Sequence, residues 1–243
     1  MLKIVKFLKD FLLFSRLSTL FQPLLKGFYF LYYFNILSNW IAQNKKQLLY
    51  SDFYTPVRNY QKRYQLYEFI ASHFGLNDKK IIYLEFGVAS AASFKWWLKT
   101  NKNEHSFFTG FDTFEGLPEQ WGAFYKKGSM SFQLPDITDT RSNFQKGLFQ
   151  QTLPGFLKQH ADLLNNVNCT RVIHLDADLY SSTAFTLSQL YPYLKAGDVI
   201  LFDEFNVALH EFKAYHEFIN NFYVNMKPIA AVNNFYQTAF QVA

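Results

Sequence analysis

The stretch VIHLDADLYSSTAFTLSQLYPYLKAGDVILFDEF, Val172 to Phe205, decides the fold. It opens on an apolar run that reads as a buried strand and breaks off in two carboxylates, Asp176 and Asp178. A helical segment follows, with Ser181 or Ser182 placed to cap its first turn. A turn at Gly197 then leads into a second apolar run, Val199 to Phe202, which ends in Asp203 and Glu204. A strand, a helix and a second strand at this spacing predict two parallel strands joined by a crossover.

The same alternation extends outward from about residue 60. RYQLYEFIASHFG (63–75) predicts an amphipathic helix closed by Gly75, KIIYLEFG (80–87) a strand, and SAASFKWWLKT (90–100) the helix after it. HSFFTGFDTFEG (105–116) predicts a second strand, LHEFKAYHEFINNF (209–222) a helix, and KPIAAVNNFYQTAFQVA (227–243) a closing hairpin. The expected architecture is α/β, a mostly parallel sheet with helices on both faces and an antiparallel pair finishing one edge. Between Gly116 and Ser142 the periodicity is lost and Pro118, Gly122, Gly128 and Pro135 intervene, which predicts a long lid or substrate loop.

Composition agrees with a globular chain: 243 residues, 49% hydrophobic and 18% charged. Its net charge of +5 is unevenly placed. Residues 1–50 hold seven basic residues (Lys3, Lys6, Lys9, Arg16, Lys26, Lys45, Lys46) against Asp10 alone, so the remainder is close to neutral. A sequence pI near 9.0 therefore belongs to an N-terminal arm, and nucleic acid is not expected as a partner. The single cysteine, Cys169, excludes an intrachain disulfide, reads as a small buried apolar residue, and suits a reducing, cytoplasmic compartment.

The division expected is an aromatic-rich, basic helical arm over residues 1–50 and one domain over 51–243. MLKIVKFLKDFLLFSRLSTLF (1–21) has the spacing of a basic amphipathic helix and lacks the unbroken apolar core and cleavage site of a signal peptide. GFYFLYYFNILSNWIA (27–42) is free of charge but shorter than the roughly 20 residues that span a bilayer. Three uses of the arm stay open: packing on its own domain or on a second subunit of a homo-oligomer, peripheral membrane contact through residues 1–42, or a membrane span.

Four strands end in acids: Glu85, Asp112, the pair Asp176 and Asp178, and the pair Asp203 and Glu204. In an open α/β sheet these ends share one edge, where ligands bind. Like charges gathered there repel unless something positive lies between them, and a divalent cation with hard oxygen ligands is the economical answer. The turn after Glu85 carries Gly87 alone, so the three-glycine dinucleotide fingerprint is absent, and no phosphate-binding loop ending in Lys-Ser or Lys-Thr occurs. Glu85, Gly87 and an acid 27 residues on, Asp112, suit a smaller adenosine ligand whose ribose hydroxyls the second acid accepts.

Together YLEFGVASAASFKWW, GFDTFEGLPE, KGLFQQTLP, HLDADLYSSTAFTLSQLYPYLKAGDVILFDEF and the terminal TAFQV resemble the class I S-adenosylmethionine-dependent methyltransferases. Within these they are most similar to the macrocin O-methyltransferase family, which methylates sugar hydroxyls; the resemblance covers roughly residues 52–243. It implies a Rossmann-like, seven-stranded sheet, S-adenosylmethionine as methyl donor and a Mg²⁺ ion. It further implies Asp176, Asp203 and Glu204 as metal ligands, Asp178 as general base, and Thr55, Glu85, Gly87, Ser90, Asp112 and Thr113 around the methyl donor. The chain departs from the family at Glu204, where Asp is usual, and at Ala91 and Ala92, where glycines are usual; the arm matches nothing in it.

On this reading one carboxylate of the Asp176–Asp178 pair anchors a cation and the other takes a proton from a hydroxyl of a small-molecule acceptor. Catechol-type relatives place a Lys directly after the paired acids, where this chain has Leu179, which favours an aliphatic hydroxyl over a phenol. Phenol methylation, or a binding protein that keeps the fold without turnover, are the alternatives. His174 reads as a core residue and His210 as a helix residue near the site mouth, while Arg141, Lys126 and Lys127 lie in the expected lid, either to meet an anionic substrate or as part of a solvated loop.

Overall fold

The apolar runs pair into one sheet in the computed structural model, which describes residues 2–122 and 124–243. The arm comes first: α1 (Leu2–Ser15), a 3₁₀ turn (Leu17–Phe21) and α2 (Gln22–Asn44). Then follow β1 (Tyr50–Ser51), α3 (Lys62–His73), β2 (Ile81–Phe86), α4 (Ala92–Thr100), β3 (Phe107–Asp112) and β4 (Ser142–Lys146). The second half runs α5 (Phe149–Gln159), α6 (Ala161–Leu164), β5 (Thr170–Leu175), α7 (Tyr180–Leu190), β6 (Val199–Phe202), α8 (Glu211–Phe222), β7 (Met226–Val232) and β8 (Gln237–Val242).

The strand order is β1-β7-β8-β6-β5-β2-β3-β4. All neighbours are parallel except β8, which runs antiparallel to both β6 and β7. The sheet thus has eight strands where seven were expected. The extra one is β1, two residues that add to the edge of β7 opposite Ala230 and Ala231, too short to leave any periodic trace in the sequence. The edge strand β4 also went unread: its SNFQK is polar and only partly buried, whereas β2 and β6 are buried throughout.

Helices cover both faces. On one, Leu66, Tyr67 and Ile70 of α3 and Phe94 and Trp97 of α4 pack on Tyr83, Phe108 and Val172. On the other, Leu153 and Phe156 of α5, Leu187 of α7 and Phe212 and Tyr215 of α8 pack on Phe86, Phe111 and Phe202. The last turns of α2 join that second layer. Tyr33 and Leu37 are buried, and Trp40 sits among Phe205, Phe212, Tyr215, Phe235 and Phe240, with ring centroids 5.0–6.3 Å away. Burial in α2 begins at Tyr33; before it, from Leu2 on, no described residue is buried.

Parallel pairing of β6, β5, β2 and β3 in that order brings their C-terminal ends side by side. Leu175 pairs with both Phe86 and Phe202, and Phe86 with Phe111. The residues that follow these positions therefore line up along one edge: Asp203, Asp176, Gly87 and Asp112.

Candidate active site

That edge floors a cavity of about 300 Å³ lined by Gly87, Asp112, Asp176, Asp178, Asp203 and Glu204, with Trp121, Tyr125 and Met130 of the loop after Gly116 around it. Gly87 holds a positive φ of 95° because β2 and β5 nearly touch there: a Cβ at this position would lie 1.8 Å from the Asp176 carbonyl oxygen. The Gly87 amide donates to Phe111 O at 2.9 Å and the Asp176 amide to Phe86 O at 2.9 Å, which locks the two turns. Ala89 and Ala91 adopt φ of 48° and 61°. Of the two positions where glycines are usual in the family, Ala91 carries a left-handed backbone and Ala92 opens α4.

Asp112 fastens this turn. Its Oδ2 accepts from the amides of Val88 and Ala89, each at 2.8 Å, and its Oδ1 from the amide of Phe114 at 2.7 Å. Three of about four acceptor sites on the carboxylate are used, leaving one for a ligand. Thr113 also lines the cavity, its Oγ1 donating to Gly116 O at 2.9 Å.

Three residues expected around the methyl donor lie outside the cavity lining. Glu85 is buried beneath it, where it accepts from the Tyr83 hydroxyl and lies 3.6 Å from Nδ1 of His174. The strand period explains this, since Tyr83 and Glu85 share one face of β2 and that face packs into the helix layer. Ser90 is exposed on the turn before α4. Thr55 lies in the segment before α3, its amide held by Oδ1 of Asn234 at 2.8 Å. His174 is a core residue, as read, between the hydroxyls of Tyr83 at 3.0 Å and Tyr67 at 3.3 Å.

The acids crowd. Burial foremost, and then Asp203, raises the pKa of Asp176 well above the usual carboxylate range. Burial, Asp203 and Asp112 push Asp178 up to about 7. Glu204 is raised by burial and then by Asp176, and behind it Glu211 is raised by burial although its Oε2 accepts the Glu204 amide at 2.9 Å. Asp203 Oδ1, Glu204 Oε2 and Glu211 Oε1 are buried without a hydrogen-bond partner.

The positive charge among these acids comes from a residue that the sequence reading missed. Arg63, in the first turn of α3, reaches Asp203 Oδ2 at 3.0 Å and Asp176 Oδ2 at 4.0 Å. Burial works against its charge, yet Asp203 and the neighbouring acids hold its pKa above the ordinary value. Nothing in QKRYQ marks this arginine from its neighbours, because the crossing from α3 to the ends of β5 and β6 is set by tertiary packing alone.

The loop after Gly116 folds back on itself. Leu117 N donates to Ser129 O at 2.8 Å, Gly128 N to Leu117 O at 2.9 Å, and Trp121 stacks on Tyr125 at 5.0 Å. Gly116, at φ 87°, is required there, as a Cβ would meet Ser129 O at 2.4 Å. Ser181 is not a cap; Leu179 takes that position, and Ser181 Oγ donates to Glu119 Oε1 of the loop at 2.6 Å. Arg141 does not face the cavity: its guanidinium binds Asp139 and the carbonyls of Leu98 and Asn101. Lys126 and Lys127 are exposed. His210 stays outside the lining too, with Nδ1 facing the Tyr180 amide at 3.4 Å.

A family model described as macrocin-O-methyltransferase matches residues 124–238. The chain is similar to the macrocin O-methyltransferases, a group within the S-adenosylmethionine-dependent O-methyltransferases. No curated protein matches its sequence. Among solved structures, CalS11, a calicheamicin methyltransferase, aligns with a TM-score of 0.57 at 18% identity, covering 86% of this chain and 91% of that one. The O-methyltransferase NovP aligns with a TM-score of 0.53 at 18% identity, over 75% of this chain and 78% of NovP. At these identities the two structures show the shared Rossmann-like fold. The macrocin-type match runs from the loop over the cavity through both acid pairs into β8, so it spans a little under half of the chain and includes Asp176, Asp178, Asp203 and Glu204.

Proposed function

We propose that the protein transfers a methyl group from S-adenosylmethionine to a hydroxyl of a sugar or glycosylated small molecule, with Mg²⁺ held at the acidic edge. The observation that carries this reading is the pair of buried, unpartnered oxygens, Asp203 Oδ1 and Glu204 Oε2, beside Asp176 in a ligand-sized cavity. These are hard oxygen donors of the kind Mg²⁺ takes. His174 lies within 4.8 Å of Asp176 and Asp203, but both its nitrogens face tyrosine hydroxyls, so the carboxylates fit the ion better.

Bound together, the two groups would supply an electrophilic methyl on a positive sulfur and a Lewis acid that makes a sugar hydroxyl easier to deprotonate. The chain's own residues supply position and proton transfer. Asp112 and Gly87 shape the turn against which the methyl donor lies, and Thr113 borders it. Asp178, held at φ 58° on the cavity wall with a pKa near 7, takes the hydroxyl proton at neutral pH. Trp121 and Tyr125 offer stacked aromatic surface for the apolar face of a sugar ring. Leu179 is buried and no lysine lines the cavity among the described residues, which supports an aliphatic acceptor over a lysine-activated phenol.

The test is thermal denaturation and methyl transfer with S-adenosylmethionine and TDP-rhamnose, the sugar nucleotide named for a CalS11 structure of the same fold, as first acceptor. Mg²⁺ is expected to raise the melting temperature and EDTA to abolish transfer. Asp176→Asn should remove both responses. Asp178→Asn should keep the Mg²⁺ shift and lose turnover by roughly 10²–10⁴-fold. Transfer that survives EDTA, with a melting temperature indifferent to Mg²⁺, would overturn the metal reading.

A further inference from the structure

The arm presents an unpartnered apolar surface of a particular kind. Phe7, Leu8, Phe11, Leu12 and Phe14 of α1 are 48–88% exposed, and Leu24, Phe28, Phe30 and Leu31 of α2 are 45–59% exposed. A soluble monomer rarely leaves so continuous an apolar surface in water. Folding the chain does not cover it, since α1 has no buried residue.

The charges on the arm say what covers it. At 100° per residue, Lys3, Lys6 and Lys9 fall on one side of α1, while Ile4, Phe7, Leu8, Phe11 and Leu12 fall on the other. Arg16, at φ 52°, turns the chain out of α1, and Lys26 follows in α2. Five basic residues stand against Asp10 alone between residues 2 and 31. An identical arm on a second copy would bring five like charges toward five others, whereas an anionic lipid surface complements them. Apolar depth on one side of a helix and lysines on the other is the pattern of a helix lying in the plane of a bilayer interface. No described helix is long and apolar enough to cross a membrane, so the arm lies on it rather than through it.

We propose that residues 2–31 dock the protein on an anionic phospholipid surface, with α1 in the interface. The arm is anchored to the body by Trp40, by the buried Tyr33 and Leu37, and by the Tyr33 hydroxyl donating to Glu217 Oε1 at 2.8 Å. Docking would therefore bring the whole catalytic body to the surface.

Flotation of the full chain with vesicles tests this. With vesicles containing phosphatidylglycerol the protein should float, and with pure phosphatidylcholine the bound fraction should fall by roughly tenfold or more, as should binding at high salt. Lys3→Glu/Lys6→Glu/Lys9→Glu should lose flotation while keeping the wild-type melting temperature, because none of the three is buried. Phe7→Ser/Phe11→Ser should lose it as well. Failure to float with anionic vesicles, or binding that ignores lipid charge, overturns the proposal. A dimer that the phenylalanine variant splits and that vesicles do not bind also overturns it, and gives the arm to a second copy.

Discussion

One methyl group is predicted to have different effects at two positions of the turn after β2. Gly87→Ala places a Cβ 1.8 Å from the Asp176 carbonyl at a φ of 95°, so either β2 or β5 must shift. A loss of about 3 kcal/mol or more is expected in urea denaturation, with weaker S-adenosylmethionine binding by calorimetry. Ala91→Gly relieves a left-handed alanine at φ 61° and gives up one buried methyl, so its stability change should stay within about 1 kcal/mol. Arg63 is the other single residue on which the site depends. Arg63→Gln leaves Asp203 and Asp176 without their positive neighbour and should cost up to about 3 kcal/mol without metal. Added Mg²⁺ should restore more stability to this variant than to the wild type; equal Mg²⁺ shifts would show that the arginine and the ion do not serve the same carboxylates.

Among the elements, the loop after Gly116 is the one most exposed to a single change. Gly116→Ala drives a Cβ against the carbonyls of Ser129 and Gly128 at 2.4 and 2.5 Å, which should open the Leu117–Ser129 pairing. Limited proteolysis should then cut this loop several-fold faster, while the melting temperature of the body changes little. What the sequence made legible follows the same division. Strands β3, β5 and β6 were readable because their apolar runs end in acids, and β2 because its run stops at Gly87; the parallel order then places Asp112, Gly87, Asp176 and Asp203 in a row. The edge strands β1 and β4 were not, one being two residues long and the other polar. The loop was readable as a loop from its glycines and prolines, but not its closure by the Trp121–Tyr125 stack or by Glu119 on Ser181. Nor does the sequence choose the face of β2, whose alternation turns Glu85 inward to Tyr83 and His174.

At the scale of the whole molecule, the arm divides near Tyr33, inside α2. Removing residues 1–25 should leave the melting temperature within a few degrees of the wild type, because no side chain described there is buried. Removing residues 1–44 takes Trp40 out of a nest of five aromatic rings and should cost roughly 3–5 kcal/mol, seen as a large drop in urea midpoint. Equal stability of the two truncations would show that α2 adds nothing to the core.

The place of β8 has a consequence for how the chain is made. Gln237–Val242 sits between β6 and β7, and its Val242 exchanges hydrogen bonds with Gly197 and Asp198 at 2.9 Å, yet it leaves the ribosome after every other strand. Until it arrives, β6 carries an open interior edge next to the acid row, and β7 with β1 has no sheet to join. An unpaired edge of this kind recruits other chains, so the nascent protein is most vulnerable to aggregation until β8 has emerged. The sheet is completed from the inside, by its latest strand.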